Sequence, residues 1–331
     1  MSAVLNLIAE YTSGTSFQAF LRNLEDMHPL AFGLIDPKYQ GDPDFDGFAE
    51  CMNRVSWEFE ATGDGRGSSY NLAQHQFDRN RAKGMARLLD LATRNGPRVA
   101  GRGFVLLDAL AGDGTVSRFA STLSGSSELN IISADISSYM IDCCVRQGLP
   151  CVRQSATQSL MRDDVLDAVM IAYGTHHIPP AERAVAIAEA RRTIGPGGRL
   201  VVHDFEVGSV MDVWFKEVVH PYSMTGHAHD HFTAEDFENY FATAGFDNVE
   251  ILRFRDPFEA VGESEHTARR GLVEFLHAMY GLDRLPLRCD ADYAALEAQI
   301  DRIFGGIEIE LQGGLYLARA ARDAIVATAT K

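Results

Sequence analysis

Six histidines stand where the chain could carry out proton transfer or hold a ligand. His176, His177 and His203 fall at the carboxyl ends of apolar, strand-like runs. His227-Ala228-His229-Asp230-His231 follows the last of these runs. An imidazole titrates near neutrality, so residues of this kind can take a proton from a hydroxyl, an amine or an activated carbon. Alternatively His229, Asp230 and a strand-end histidine could hold a metal that polarises a substrate. The bland reading has the first pair shaping a loop and the later group forming a solvated turn before a helix. We take His176, His177 and His229 as the catalytic candidates, assign no metal ligands, and expect activity to survive chelation.

A second constellation lies upstream. Phe104–Leu107 reads as a buried strand. It ends in Asp108, and the turn Ala109-Leu110-Ala111-Gly112-Asp113-Gly114 then opens a helix. Glycines let a backbone approach a ligand closely, and a helix start offers N–H donors. Asn130–Ala134 ends in a second acid, Asp135, about 20 residues after the glycines, the spacing at which an acid can meet ribose hydroxyls. The GxGxxG spacing of dinucleotide-binding domains is absent.

Strands and helices in alternation must position these groups. Cys151–Gln154, Ala168–Tyr173 and Arg199–Asp204 continue the strand series. Glu182–Ile194 is the clearest helix between them, opened by Pro179-Pro180 and closed by Gly195-Pro196-Gly197-Gly198. This order implies βαβ units and a mainly parallel sheet covered on both faces, with ligands beyond the carboxyl ends of its strands. Helices are expected over Phe17–Met27, Phe48–Glu60 and Tyr70–Arg94. In the last, Leu72, Phe77, Met85, Leu88, Leu89 and Leu91 form an approximate stripe. Residues 257–305 read as an insertion with helices at Thr267–Tyr280 and Asp292–Phe304, before a strand-like Ile307–Ala318. Another helix is expected at Thr233–Gly245.

The series LLDALAGDG, SADIS, LDAVMIAYGTHHIPP and RTIGPGGRLVVHD resembles the class I S-adenosylmethionine-dependent methyltransferases over roughly Phe104–Phe254, with Ile307–Ala318 as a final strand. The resemblance implies a Rossmann-like, doubly wound α/β fold with a seven-stranded sheet, its last strand antiparallel, and S-adenosylmethionine as cofactor. Carried over by position, Asp108, Gly112 and Gly114 would line the methionine part, Asp135 with the adjoining Ile136 the ribose, Ser155 and Ala156 the adenine, and Tyr173 the sulfonium. Leu110 stands where that family usually has its first glycine, and Ser155 where an acid often meets the adenine amine.

Residues 1–100 are expected to form a helical lid and 101–331 the cofactor domain with its insertion. Methyl transfer needs nucleophile, methyl and sulfur in line, with water excluded. Tyr70, Gln74 and His75 share one prospective helix that could close over the cofactor, and Trp57, Phe59, Trp214 and Phe215 could wall a pocket. The reading favoured is methyl transfer to a small metabolite. Two alternatives stay open: a cyclase or lyase of the same fold that releases methylthioadenosine, and a non-catalytic scaffold.

Composition narrows the partners. The 331 residues carry a formal net charge of −16, which repels phosphate backbones and anionic lipid. Nucleic acid and membrane are therefore not expected, and a homodimer stays open. Five cysteines without a CxxC pair fit a reducing compartment. No basic start followed by an apolar stretch opens the chain, and a cytoplasmic location is the simplest expectation.

Overall fold

The computed structural model describes residues 10–40, 52, 57–60, 65–76, 80–97, 99, 101–123 and 128–331. Ten strands are present among them: β1 Phe104–Asp108, β2 Leu129–Asp135, β3 Cys151–Arg153, β4 Leu166–Ile171, β5 Ile194–Asp204, β6 Glu250–Arg255, β7 Phe258–Gly262, β8 Ile307–Gln312, β9 Leu315–Ala320 and β10 Asp323–Thr330. Seven form one sheet in the order β3-β2-β1-β4-β5-β10-β6. The first five run parallel, and β10 pairs antiparallel with both β5 and β6. The strand order reverses between β1 and β4, which opens a crevice above their carboxyl ends.

Helices cover both faces, as near-continuous apolar strands require. On one face Ser138–Arg146, Pro180–Thr193 and Ala234–Thr243 share an apolar cluster with Phe17–Met27. On the other, Ala82–Thr93 brings Met85, Leu88, Leu89 and Leu91 against Leu106, Met170 and Val201. The Phe17–Met27 helix buries Phe17, Phe20, Leu21 and Leu24 at helical spacing, and the Ser16 side chain caps its start. Just before it, the Tyr11 hydroxyl donates to the Arg153 carbonyl and accepts from the Arg153 N–H, so the outer edge of β3 is paired. The Ala234–Thr243 helix starts from a capping box in which Thr233 and Asp236 satisfy each other's backbone N–H groups.

Three expectations change. The single helix over Tyr70–Arg94 is two, Gly67–Gln76 and Ala82–Thr93, with Phe77 outside the described residues. Most of Phe48–Glu60 also lies outside them; Trp57–Phe59 forms a 3-10 turn. Ile307–Ala318 is not the last strand of the main sheet. Its residues form the β8–β9 hairpin, which pairs with β7 in a separate three-stranded sheet ordered β7-β9-β8. The final strand of the main sheet is β10. The insertion therefore runs from β7 through β9, and it carries its own core. Phe258, Phe275, Leu276 and Tyr280 pack there with Trp214, Phe304 and Ala73, the last from the Gly67–Gln76 helix. Among the described residues no helix is long and apolar enough to cross a membrane.

Candidate functional site

The turn after β1 is shaped by two left-handed glycines, Gly112 at φ 54° and Gly114 at φ 82°. A Cβ at Gly114 would lie 2.4 Å from Leu149 Cδ1, and one at Gly112 would lie 3.3 Å from the Tyr70 ring. Gly114 thus serves packing, whereas Gly112 lines a cavity of about 570 Å³ over the strand ends. The Gly112 N–H donates to Asp135 Oδ2 at 2.8 Å and the Ser137 N–H to Asp135 Oδ1 at 2.9 Å, which fixes the carboxylate at the cavity wall. The carboxylate has room for about one further donor beside its backbone partners, as a ligand hydroxyl would supply. Ile136, Ser155 and Ala156 line the same cavity.

Asp108 lies beneath this surface, 1% exposed, and its Oδ2 has no hydrogen-bond partner among the described residues. Burial, reinforced by the Asp135 charge, pushes its carboxyl up to about 7. Burial also raises Asp135, to about 6, against the pull of the Ser137 and Gly112 N–H groups. A buried acid beside a half-buried one suits a neighbour that brings positive charge.

At the end of β4 the chain turns at Tyr173, a non-glycine residue at φ 61°. The left-handed conformation costs such a residue about 1–3 kcal/mol and persists only when its surroundings impose it. Here the Tyr173 N–H donates to His203 Nδ1 at 3.2 Å, and the ring lies against the Arg81 guanidinium at 4.4 Å and the His203 ring at 4.3 Å. His203 is fully buried beside Asp256, which is paired with Arg322 at 2.7 Å. His203 therefore supports Tyr173 from behind, while Tyr173 itself lines the cavity.

The other histidines converge. His176 and His177 sit on the Thr175–His177 3-10 turn after β4. His176 Nδ1 is 2.9 Å from both oxygens of Asp204, at the end of β5. Burial pushes His176 down to about 4 although Asp204 favours its charge. Burial opposes the Asp204 charge in turn, yet His176 holds that carboxyl at about 2. The His177 ring centroid is 4.5 Å from that of His229 and 5.1 Å from that of His227. Phe215 stacks on His227 at 4.1 Å. His231 turns away to bond Asp212 at 2.8 Å. The Asp230 side chain is exposed, and its carbonyl accepts from Arg183. The pairing of His229 with Asp230 as ligands is thus not what the fold brings together.

Sequence reading did not find Glu58. It comes from the Trp57–Phe59 turn, with Oε1 on Arg66 at 3.0 Å and Oε2 at 3.1 Å from His177 Nδ1 and 3.8 Å from His229 Nε2. Burial opposes its charge, but His177 and Arg66 outweigh burial and hold the carboxyl well below the usual range. Nothing local marks it; only the return of the chain across the sheet makes it a neighbour. Asp204 carried a signal, as an acid directly after His203 at a strand end.

The Gly67–Gln76 helix roofs the glycine turn. Asn71 donates to Asp113 Oδ2 at 2.8 Å, and His75 Nε2 lies 3.2 Å from the same oxygen. Gln74 Oε1 accepts from Arg81 at 2.8 Å and from Thr115 at 3.2 Å. Tyr70 faces the cavity, with Phe59 edge-on at 5.5 Å. Of the three roof residues expected, Tyr70 meets the cavity, whereas Gln74 and His75 fasten the helix. Phe59 and Phe215 line the cavity, and Trp214 lies in the core of the insertion.

Residues 107–202 match the family model described as a methyltransferase domain. A demethylmenaquinone methyltransferase of Mycobacterium bovis is 37% identical over 114 residues, 34% of this chain and 46% of the relative. Its Mycobacterium tuberculosis counterpart matches equally, at 37% over 114 residues. The chain thus spans less than half the length of these relatives. Among solved structures, Haemonchus contortus phosphoethanolamine N-methyltransferase 2 in complex with S-adenosyl-L-methionine superposes with a TM-score of 0.52 at 15% identity, over 88% of this chain and 61% of that one. An S-adenosylmethionine-dependent methyltransferase from Archaeoglobus fulgidus gives 0.46 at 17% identity, over 79% of this chain and 99% of that one.

Proposed function

We propose that this chain, which carries a methyltransferase domain of the class I fold, is an S-adenosylmethionine-dependent enzyme that methylates a small metabolite in a roofed pocket. One observation carries the reading: Asp135, fixed by the Gly112 N–H at 2.8 Å, and the histidines after β4 and β5 wall one cavity. The strand order sets Asp135 and Ser155 on one side of the crevice and His176, His177 and His229 on the other. A ligand spanning it places its two ends against different chemistry. Asp135 would accept the ribose hydroxyls, with Ile136 beside them. Ser155 and Ala156 would border the adenine. Gly112, with Asp108 below it, would meet the amino-acid end, and Tyr173 would stand at the sulfur. The cofactor, when bound, supplies a methyl group on a positively charged sulfur.

The chain's own contribution is placement and exclusion of water. Tyr70 and Phe59 close the cavity from the N-terminal side, and Phe258 and Tyr280 of the insertion from the other. The histidine group handles the acceptor's proton. His176, with Nδ1 tied to Asp204, is held in one orientation, the arrangement that readies an imidazole as a base.

The experiment is incubation of the full chain with S-adenosylmethionine, with and without an acceptor panel that includes demethylmenaquinone, and identification of the nucleoside formed. Adenosylhomocysteine that appears only with an acceptor supports the proposal. Methylthioadenosine without an acceptor would replace it with internal displacement, and binding without turnover would replace it with a scaffold.

A further inference from the structure

We propose that Glu58, His177, His227 and His229 hold one divalent first-row transition ion at the acceptor side of the cavity. One donor atom from each lies within 4.8 Å of the donors of all the others. They come from three separate stretches: the turn at Trp57–Phe59, the turn after β4, and the segment after β5. Their meeting is a product of the fold and not of one local turn. An ion at about 2.0–2.1 Å from each ligand needs donors roughly 3–4 Å apart, so the group closes by side-chain shifts of about an ångström or less.

The second observation concerns bonds that are missing. His227 is 5% exposed, yet neither Nδ1 nor Nε2 has a hydrogen-bond partner among the described residues. Buried imidazole nitrogens are normally paired. His177 Nδ1 is also buried; it lies at ion-pair distance, 3.1 Å, from Glu58 Oε2 without the alignment of a hydrogen bond. These nitrogens and the carboxylate oxygen share a small volume: Glu58 Oε2 sits at ion-pair distance from His177 and His229, and the two His227 nitrogens are left over. A cation at their centre satisfies them together. In the neighbouring cluster of His176, Asp204 and His231, His176 Nδ1 is bonded to Asp204 and His231 Nδ1 to Asp212, which leaves His231 Nε2 as the one ring nitrogen there that the hydrogen-bond network of the described residues leaves buried and open.

The supports are in place. Arg66 occupies Glu58 Oε1 and leaves Oε2 facing the histidines. Phe215 stacks on His227 at 4.1 Å and sets its ring plane, and the His227 N–H is anchored on His220 Nδ1 at 2.9 Å. Three imidazoles with one carboxylate suit iron(II), cobalt(II), nickel(II) or zinc, and are a poor set for magnesium or calcium, which take oxygen ligands. A six-coordinate ion would keep two positions for oxygens of the acceptor. That use rests on the methyl-transfer reading; the ion site does not. The expectation of a site without metal gives way here, and His177 and His229 pass from proton handling to ligation, leaving His176 as the base.

The test uses the untagged full chain, stripped with a chelator and reloaded with cobalt(II), zinc or, without oxygen, iron(II). Metal is counted by elemental analysis after gel filtration, and cobalt(II) is also read by its visible ligand-field bands. We expect one ion per chain. His227→Gln and His229→Ala should each weaken cobalt binding about tenfold or more, while His266→Ala, at an exposed helix position, leaves it unchanged. Circular dichroism melting checks that the variants fold, and Glu58→Gln supplies an independent ligand removal. Substoichiometric metal after reloading would overturn the proposal, as would equal affinity in the folded His227→Gln, His229→Ala and His266→Ala proteins. Adenosylhomocysteine formation is scored separately, so an ion bound without methyl transfer separates the failure of the activity from the failure of the site.

Discussion

Asp108 and Asp135 end adjacent parallel strands, and their raised carboxyls make the crevice sensitive to rising pH. A carboxyl raised in the fold adds stability fully below its unfolded pKa, near 4, and loses it as pH rises through the folded values of about 6 and 7. The ligand-free chain should therefore lose this contribution between pH 4 and 7. Placed as proposed, a cofactor with a positive sulfur and ammonium would lower both carboxyls and expel protons. Calorimetry near pH 6.5 in two buffers of different ionisation enthalpy should show net proton release, and the rise in melting temperature on binding should be larger at pH 8 than at pH 5. Proton uptake would contradict the placement of the cofactor. At the same scale, Gly114→Ala should cost about 2 kcal/mol or more, because it adds a left-handed penalty to the contact with Leu149; urea unfolding reads it. That Gly112 and Asp135 meet one cavity was legible in the sequence, since their place depends on the strand immediately before each, whereas Gly114 serves packing and Asp108 lies beneath the wall. Glu58 and the orphaned nitrogens of His227 were not, since Glu58 meets His177 and His229 more than a hundred positions on, and His227 meets His177 and His176 about fifty positions back, only through the fold.

The Gly67–Gln76 helix touches the glycine turn through Asn71 and His75 and the insertion through Ala73, while Tyr70 faces the cavity. Tyr70→Ala should lower turnover on the order of 10–100-fold with an unchanged circular dichroism spectrum, since it opens the reaction to water and loosens alignment. Cofactor should also slow amide exchange over Gly67–Gln76. Full turnover in Tyr70→Ala, or unaltered exchange, would remove the helix from the roof. The first described stretch, residues 10–27, serves another purpose. Tyr11 and the Phe17–Met27 helix belong to the core of the sheet, so removal of residues 1–69 would strip buried Phe17, Phe20, Leu21 and Leu24 from it. The elements most visible in the sequence were the apolar strands β1, β2, β4 and β5, where burial on both faces leaves a plain signature. The place of Ile307–Ala318 was not visible, because strand propensity says nothing of which sheet a strand joins. β10 was hidden for a related reason: Asp323–Thr330 is rich in alanine and small residues, and only its position between β5 and β6 makes it an interior strand.

Over the whole molecule, the cavity has a floor from one core and a ceiling from another. The sheet supplies the strand ends, and the insertion with the Gly67–Gln76 helix supplies the cover, fastened to the floor at Asp113. The fastening point bears on kinetics. Asp113 lies in the turn proposed to meet the cofactor's amino-acid end, so on that reading Asn71 and His75 must let go before the spent nucleoside departs. Exit becomes a separate event from chemistry, with its own rate. Rapid mixing of the loaded enzyme with acceptor should then give a burst of one methylated product per chain followed by a slower steady phase. Asn71→Ala should speed the second phase while leaving the burst amplitude intact, and a linear trace from the first turnover would show that the cover opens freely.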